Sequence, residues 1–234
     1  NIWSVVYNTV FISGMKIVLG IIVPVTVALM LNEVHHIAFK RTVQTIIYLP
    51  YFLSWVILSG IIITILSPSD GIVNQLLGYI GIEPIFFLGD EKIFPYTIVV
   101  TDVWKNFGFG TIVYLTALTS IDPNLYEASL IDGANRWQQT VHITLPGIST
   151  TIILLSVISV GNILNAGFEQ IFNLYSPMVY STGDILDTLV YRMGIQNYQF
   201  GVATAIGLIK SVVATIFIVA SNKAAEKIGG YRVF

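Results

Sequence analysis

Five long apolar runs dominate the chain, at about residues 5–31, 43–66, 93–118, 148–164 and 202–220. Each approaches the roughly 20 residues that a helix needs to cross the hydrocarbon layer of a bilayer. Backbone N–H and C=O groups in lipid find no water, so each run must satisfy its hydrogen bonds internally, as a helix does. The strict alternation that a membrane β-barrel requires is absent from these runs. The pattern therefore predicts an all-α fold, a polytopic membrane helix bundle with five spans. One soluble helical core is the competing reading, but so many apolar runs in so short a chain leave nothing to cover them.

The stretches between the runs set an orientation, because Lys and Arg collect in cytoplasmic loops. The first loop carries Lys40 and Arg41, the third Arg136, and the tail Lys223, Lys227 and Arg232. The second loop, at about 67–92, sets Lys92 against Asp70, Glu83, Asp90 and Glu91. The fourth, at about 165–201, sets Arg192 against Glu169, Asp184 and Asp187. The first and third loops and the tail are thus expected in the cytoplasm, with the N-terminal end outside. Within the outer segments, 71–82 and 185–193 read as short surface helices, the second with Asp184 as its cap. Tyr48, Tyr51, Trp55 and Tyr96 suit either the headgroup belts or plain helix packing.

Composition agrees with the bilayer as solvent. Of the 234 residues 55% are hydrophobic and 10% charged, with a mean hydropathy of +0.79; soluble domains carry about 25% charged residues. A net charge of -2 gives no sign of a nucleic-acid partner. With no cysteine, disulfides, thiolate catalysis and cysteine metal sites are excluded. No glycine-rich phosphate cradle precedes Lys210-Ser211, and there is no His-Glu-x-x-His pair or nucleophile–base set. His35, His36 and His142 read as loop residues, with no metal and no cofactor expected in this chain. It is not expected to be an enzyme.

The third loop, 122–146, is too polar to span, yet it is built like two short helices. Asp122 can cap the first, with Pro123 at the position where a missing N–H costs nothing. Gly133 suits a left-handed helix stop. Asn135 and Gln138 have the spacing of a capping box for the second helix, and Pro146 is read as opening the next span. Leu125, Ala128 and Ser129 share a face of the first helix, beside Tyr126 and Leu130, while Trp137 and Val141 share a face of the second. A helix pair lying on lipid headgroups wants a strongly basic polar face. Arg136 and His142 stand here against Asp122, Glu127 and Asp132, so docking to a protein is the favoured reading.

Inside the runs, ionisable groups cost about 2.5–3.5 kcal/mol each to insert and need a reason. Asp102 and Lys105 lie in the third run, where they could pair with each other or form a polar wall. Trp104, Asn106, Tyr114, Asn162 and Asn165 are candidate path residues of such a polar wall, since amides offer hydrogen bonds and aromatic rings apolar faces. Asn162 and Asn165 could equally serve helix–helix hydrogen bonds. Lys16 and Lys210 could snorkel or face the protein interior.

Glu127-Ala128-Ser129, Gly133 and Ile143-x-Leu145-Pro146 resemble the EAA motif of binding-protein-dependent ABC importer permeases, with Ser129 where the motif usually has Ala. Leu31-Asn32-Glu33-Val34, the run from Gln44 to Pro50, Ile121 to Ala128, Gly161 to Asn165 and Phe168 to Phe172 look like the LplB-type sugar permeases, importers of oligosaccharides from plant or algal polysaccharides. The resemblance implies a type I importer permease fold and a single transmembrane domain over 1–234, with 122–146 as its cytoplasmic coupling loop. It implies Glu127, Ala128, Ser129, Asp132, Gly133, Leu145 and Pro146 as the residues coupled to an ATPase. Its implied partners are a second permease subunit, a cytoplasmic ABC ATPase dimer holding ATP and Mg, an extracellular binding protein and the lipid of a bacterial cell membrane. Such permeases usually begin inside the cell, so a further span is expected before Asn1, six in all. Amino acids, peptides or anions are alternative cargoes, and a secondary transporter is the alternative class; that class needs two related halves with broken helices, which the sequence does not display.

Overall fold

The computed structural model describes residues 2–229, with side chains through Glu226; Arg232 and the side chain of Lys227 lie outside them. The described residues are helical without a strand. In chain order the helices are α1 (Ile2–Asn32), α2 (Ile37–Tyr48), α3 (Trp55–Ile65), α4 (Ile72–Tyr79), α5 (Phe94–Leu118) and α6 (Pro123–Ile131). Then follow α7 (Arg136–Gln139), α8 (Leu145–Gly161), α9 (Phe168–Leu174), α10 (Tyr180–Gly183), α11 (Leu186–Tyr191) and α12 (Phe200–Gly229).

Each apolar run becomes helix, with two departures from the sequence pattern. The run at 43–66 is not one straight element. A 3-10 turn at Leu49–Phe52 follows α2, and the chain bends by 106° before α3. Pro50 cannot donate an N–H to continue the helix, and the Ser54 hydroxyl accepts from the Ile57 N–H to start a new one. The second departure concerns Pro146, which stands in the first turn of α8 but inside a longer continuous helix. Arg136–Gly161 is continuous, because Thr140–Thr144 forms a π turn in which the Leu145 N–H reaches Thr140 O. That wider turn comes just ahead of the missing proline N–H.

Among the described residues, Ile2–Asn32, Arg136–Gly161 and Phe200–Glu226 are long and apolar enough to cross a membrane, and the bent pair α2–α3 would be a fourth. α5 has 25 residues and the necessary length. Asp102, Lys105 and Asn106 lower its hydropathy, so the count of five spans rests for α5 on length alone. No residue of the apolar window in α12 is buried, as suits a helix facing lipid or another subunit.

The helices fall into two compact units. The first comprises residues 2–16, Phe52–Trp104 and Asn162–Thr215. Its core joins Val5 of α1, Leu164 and Leu186 of α11, with Ile206 and Val213 of α12 against them. Polar side chains fix the same elements: Asn8 donates to Ser181 O and Asp184 O, and the Leu186 N–H donates to the Thr9 hydroxyl. The second unit comprises Ile17–Tyr51, Lys105–Gly161 and 216–229. Val25, Ala28, Tyr114, Leu118 and Ile148 form its core, and Leu145 packs against them.

The outer helices depart from expectation in one detail. α4 forms as the pattern of 71–82 predicts, and buried Asn74 holds its loop by bonding both the N–H and the C=O of Ile85. At α11, however, Asp184 is not the cap; Ile185 holds that position. The Asp184 carboxylate is buried and accepts from the Thr188 hydroxyl at 2.8 Å and from both terminal nitrogens of Arg192. Those hydrogen bonds are the main reason the Arg192 guanidinium is held above its ordinary pKa. Burial, with help from a hydrogen bond to Tyr180, pushes the neighbouring Tyr175 phenol up to about 12.

Candidate coupling loop and polar groups of the spans

The loop after α5 is assembled from local rules. Asp122 caps α6 by accepting from the Asn124 N–H at 3.0 Å, with Pro123 in the first turn. The helix ends in a Schellman motif: Ala134 N–H donates to Ser129 O at 2.9 Å and Gly133 N–H to Leu130 O at 3.1 Å. Gly133 has φ +79, and a β-carbon there would meet nothing within 4 Å. Glycine is required by the left-handed backbone and not by crowding. Asn135 then opens α7 with both halves of the capping box, at 2.9 and 2.8 Å.

Side chains brace α6 against the stretch that follows. The Gln139 amide, buried, donates to Ser129 Oγ at 2.9 Å, and that hydroxyl donates to Tyr126 O at 2.8 Å. Farther along, the Tyr126 hydroxyl meets Thr144 Oγ1 at 3.0 Å. Ser129 is therefore a structural bridge and not merely a small residue; its spacing from Gln139 gave no sign of this. Outward, Leu125, Leu130, Ile131 and Trp137 are all more than half exposed. Glu127, Ala128 and Asp132 are exposed as well. Glu127 has no hydrogen-bond or ion-pair partner among the described residues. A nearby cleft of about 320 Å³ is lined by Asp132, Gly133, Gln138 and His142. Of the seven loop residues singled out, Leu145 faces the core of its unit and Pro146 is exposed within the continuous helix.

The polar groups of the first unit form a buried knot. Lys16 Nζ donates to Asp102 Oδ1 at 3.2 Å, to Ala166 O at 2.7 Å and to Gln170 Oε1 at 2.5 Å. Gln170, fully buried, uses its amide nitrogen on Ile98 O and Thr101 Oγ1, each at 2.8 Å. The proposed pairing of Asp102 with Lys105 is thus replaced. Asp102 holds Lys16, while Lys105, in the second unit, donates to Tyr51 O at 2.8 Å and lies 5.3 Å from the Tyr51 ring centre. Gly167 sits at φ +95, where a β-carbon would come within 3.0 Å of Lys16 Nζ. Neither Gln170 nor Gly167 was marked as a site residue; the lysine in the first apolar run was the available signal.

The five candidate path residues divide between the two units. In the first unit Trp104 is about half exposed, and Asn162 and Asn165 are exposed, with the Asn165 amide donating to Asn162 Oδ1 at 3.3 Å. In the second, Asn106 is half-buried, and Tyr114 is 1% exposed inside the core. Among the described residues no group of His, Asp and Glu could hold a metal ion.

Helices of membrane length in an all-helical frame define a membrane-protein fold. The chain belongs to the binding-protein-dependent transport system inner membrane component family, matched over residues 16–227. It is 40% identical to Protein LplB of Bacillus subtilis over 94% of this chain and 69% of that protein. It is 38% identical to the polygalacturonan/rhamnogalacturonan transport system permease protein YteP of the same organism, over 97% of this chain and 71% of that one. A chain in the crystal structure of a bacterial alginate ABC transporter, in complex with alginate pentasaccharide-bound periplasmic protein, superposes with a TM-score of 0.95 at 42% identity. The match covers 98% of this chain and 80% of that chain. The fold is that of the type I permeases, and the protein is a transport component of the inner membrane, not an enzyme.

Proposed function

We propose that this chain is the permease subunit through which an ATP-driven importer moves an oligosaccharide, delivered by an extracellular binding protein, across a bacterial cell membrane. The carrying observation is the loop 122–146, braced by side-chain hydrogen bonds and apolar on its outer face. Exposed Leu125, Leu130 and Trp137, around a Glu127 side chain with no partner among the described residues, make a surface that a protein cleft can bury. In this reading 122–146 sits in the cytoplasm as part of a single transmembrane domain, and an ABC ATPase dimer grips it, with Glu127 against a basic group of that partner. ATP and Mg belong to the ATPase, which closes on ATP. The braced loop carries that motion into the helix Arg136–Gly161 through Leu145 and Pro146, and the path turns from inward-open to outward-open. A second permease subunit completes the path.

The names of the relatives, transporters of polygalacturonan and alginate among them, favour sugar over amino acid, peptide or other solute. Trp104, Asn106, Asn162 and Asn165 keep the exposure that contact with cargo needs. Tyr114 would reach it only if α5 moved within its core. The direct experiment is to purify the assembled transporter and measure its ATPase rate with the binding protein carrying different labelled oligosaccharides. One or more should raise the rate. Stimulation by an amino acid or peptide alone would overturn the cargo.

A further inference from the structure

The first unit contains a cavity that combines aromatic rings with polar groups. A cavity of about 470 Å³ is bordered by Phe168, Asp187, Tyr191, Ile195, Phe200 and Thr204. Phe168 and Tyr191 have ring centres 5.5 Å apart, and Phe172 backs Tyr191 edge-on at 4.8 Å, so one wall is a braced aromatic surface. Polar groups complete the lining. Asp187 Oδ1 accepts from Lys210 Nζ, while Asp187 Oδ2 has no partner among the described residues. The hydroxyls of Tyr191 and Thr204 also have none. Lys210 stands inside the apolar helix Phe200–Glu226, where an ion pair is costly and marks a functional position.

We propose that this cavity is a subsite for one pyranose ring of the transported oligosaccharide, an assignment that rests on the cargo reading above. The ring's C–H face lies on the aromatic wall, and its hydroxyls bond Asp187 Oδ2, Tyr191 and Thr204. The charge pair is neutral overall, so either a neutral or an acidic sugar is admitted. A lipid chain would leave all three polar groups unsatisfied.

The chain has no cysteine, so Thr204→Cys supplies its single thiol. The test uses the full transporter, with partner permease, ATPase and binding protein, in lipid nanodiscs, and follows the rate of maleimide labelling of this chain. Short alginate, galacturonan, arabinan and galactan oligosaccharides are the probes. A sugar that is transported should slow labelling at Thr204→Cys but not at Ser69→Cys on the loop before α4. Tyr191→Ala should raise the half-saturating sugar concentration ~10-fold, the worth of one aromatic stacking contact. If Thr204→Cys does not transport, Ala203→Cys takes its place. Unchanged labelling with a transported sugar overturns the subsite and leaves the cargo reading standing. Equal protection without sugar, by lipid or the partner permease, overturns it too. Transport of none of the four by the unsubstituted chain overturns both.

Discussion

In the proposed coupling, Glu127 and Gly133 serve in opposite ways. The Glu127 side chain is exposed and has no partner among the described residues, so Glu127→Lys should insert normally and keep its thermal stability, yet fail to transport when assembled with the ATPase. Full transport by that variant would remove Glu127 from the interface. Gly133 is the opposite case, a residue that matters for its backbone. A left-handed conformation costs a residue with a β-carbon about 1–2 kcal/mol, and a branched side chain more. Gly133→Val should therefore lower ATPase co-purification, while trimming an exposed side chain nearby with Ile131→Ala should leave the turn intact. Both features were legible in the sequence, because caps, stops and exposed charges obey rules that span only a few residues. The Ser129–Gln139 bridge was not. Its partners lie on two elements whose approach depends on the turn between them, and the motif's usual alanine offers no hydroxyl to suggest it.

At the scale of elements, α1, α5 and α9 are tied by the knot around Lys16. Its acceptors lie 86 and 154 residues away in sequence for Asp102 and Gln170, so no periodicity could disclose the pairing. Lys16→Met removes one ion and leaves half-buried Asp102 and buried Gln170 without their donor. Breaking a buried pair in this way costs about 3–5 kcal/mol, which thermal unfolding in detergent should register. The double variant Lys16→Met/Asp102→Leu should recover part of that loss, since an apolar pair needs no donor. A double variant less stable than Lys16→Met alone would show that the knot is not held by this ion pair. The bend before α3 teaches the reverse lesson. Pro50 removes a backbone donor and Ser54 caps a new helix, yet the apolar run across them is unbroken. Hydropathy measures the solvent a segment prefers and is blind to its direction.

For the whole molecule, the question is what covers the apolar surface that the chain leaves open. Hydropathy made the lipid share legible, since the long helices α1 and α12 and the helix Arg136–Gly161 keep most of their apolar residues unburied within the chain. It could not separate lipid from protein, because both present hydrocarbon to a leucine. The loop after α5 does separate them, since its outer face combines Leu125, Leu130 and Trp137 with acidic rather than basic neighbours. Amide hydrogen exchange can read that difference directly. On assembly with the ATPase, residues 123–139 should gain protection, because the loop's fraying is suppressed when its face is buried. The loop around Asn74 should show no change, being already clamped through Ile85 and assigned by its acidic charge to the other side of the membrane. Protection at α4 instead of α6 would invert the orientation drawn from the lysines and arginines. It would move the docking surface to the outer segment and leave Glu127 without the partner proposed for it.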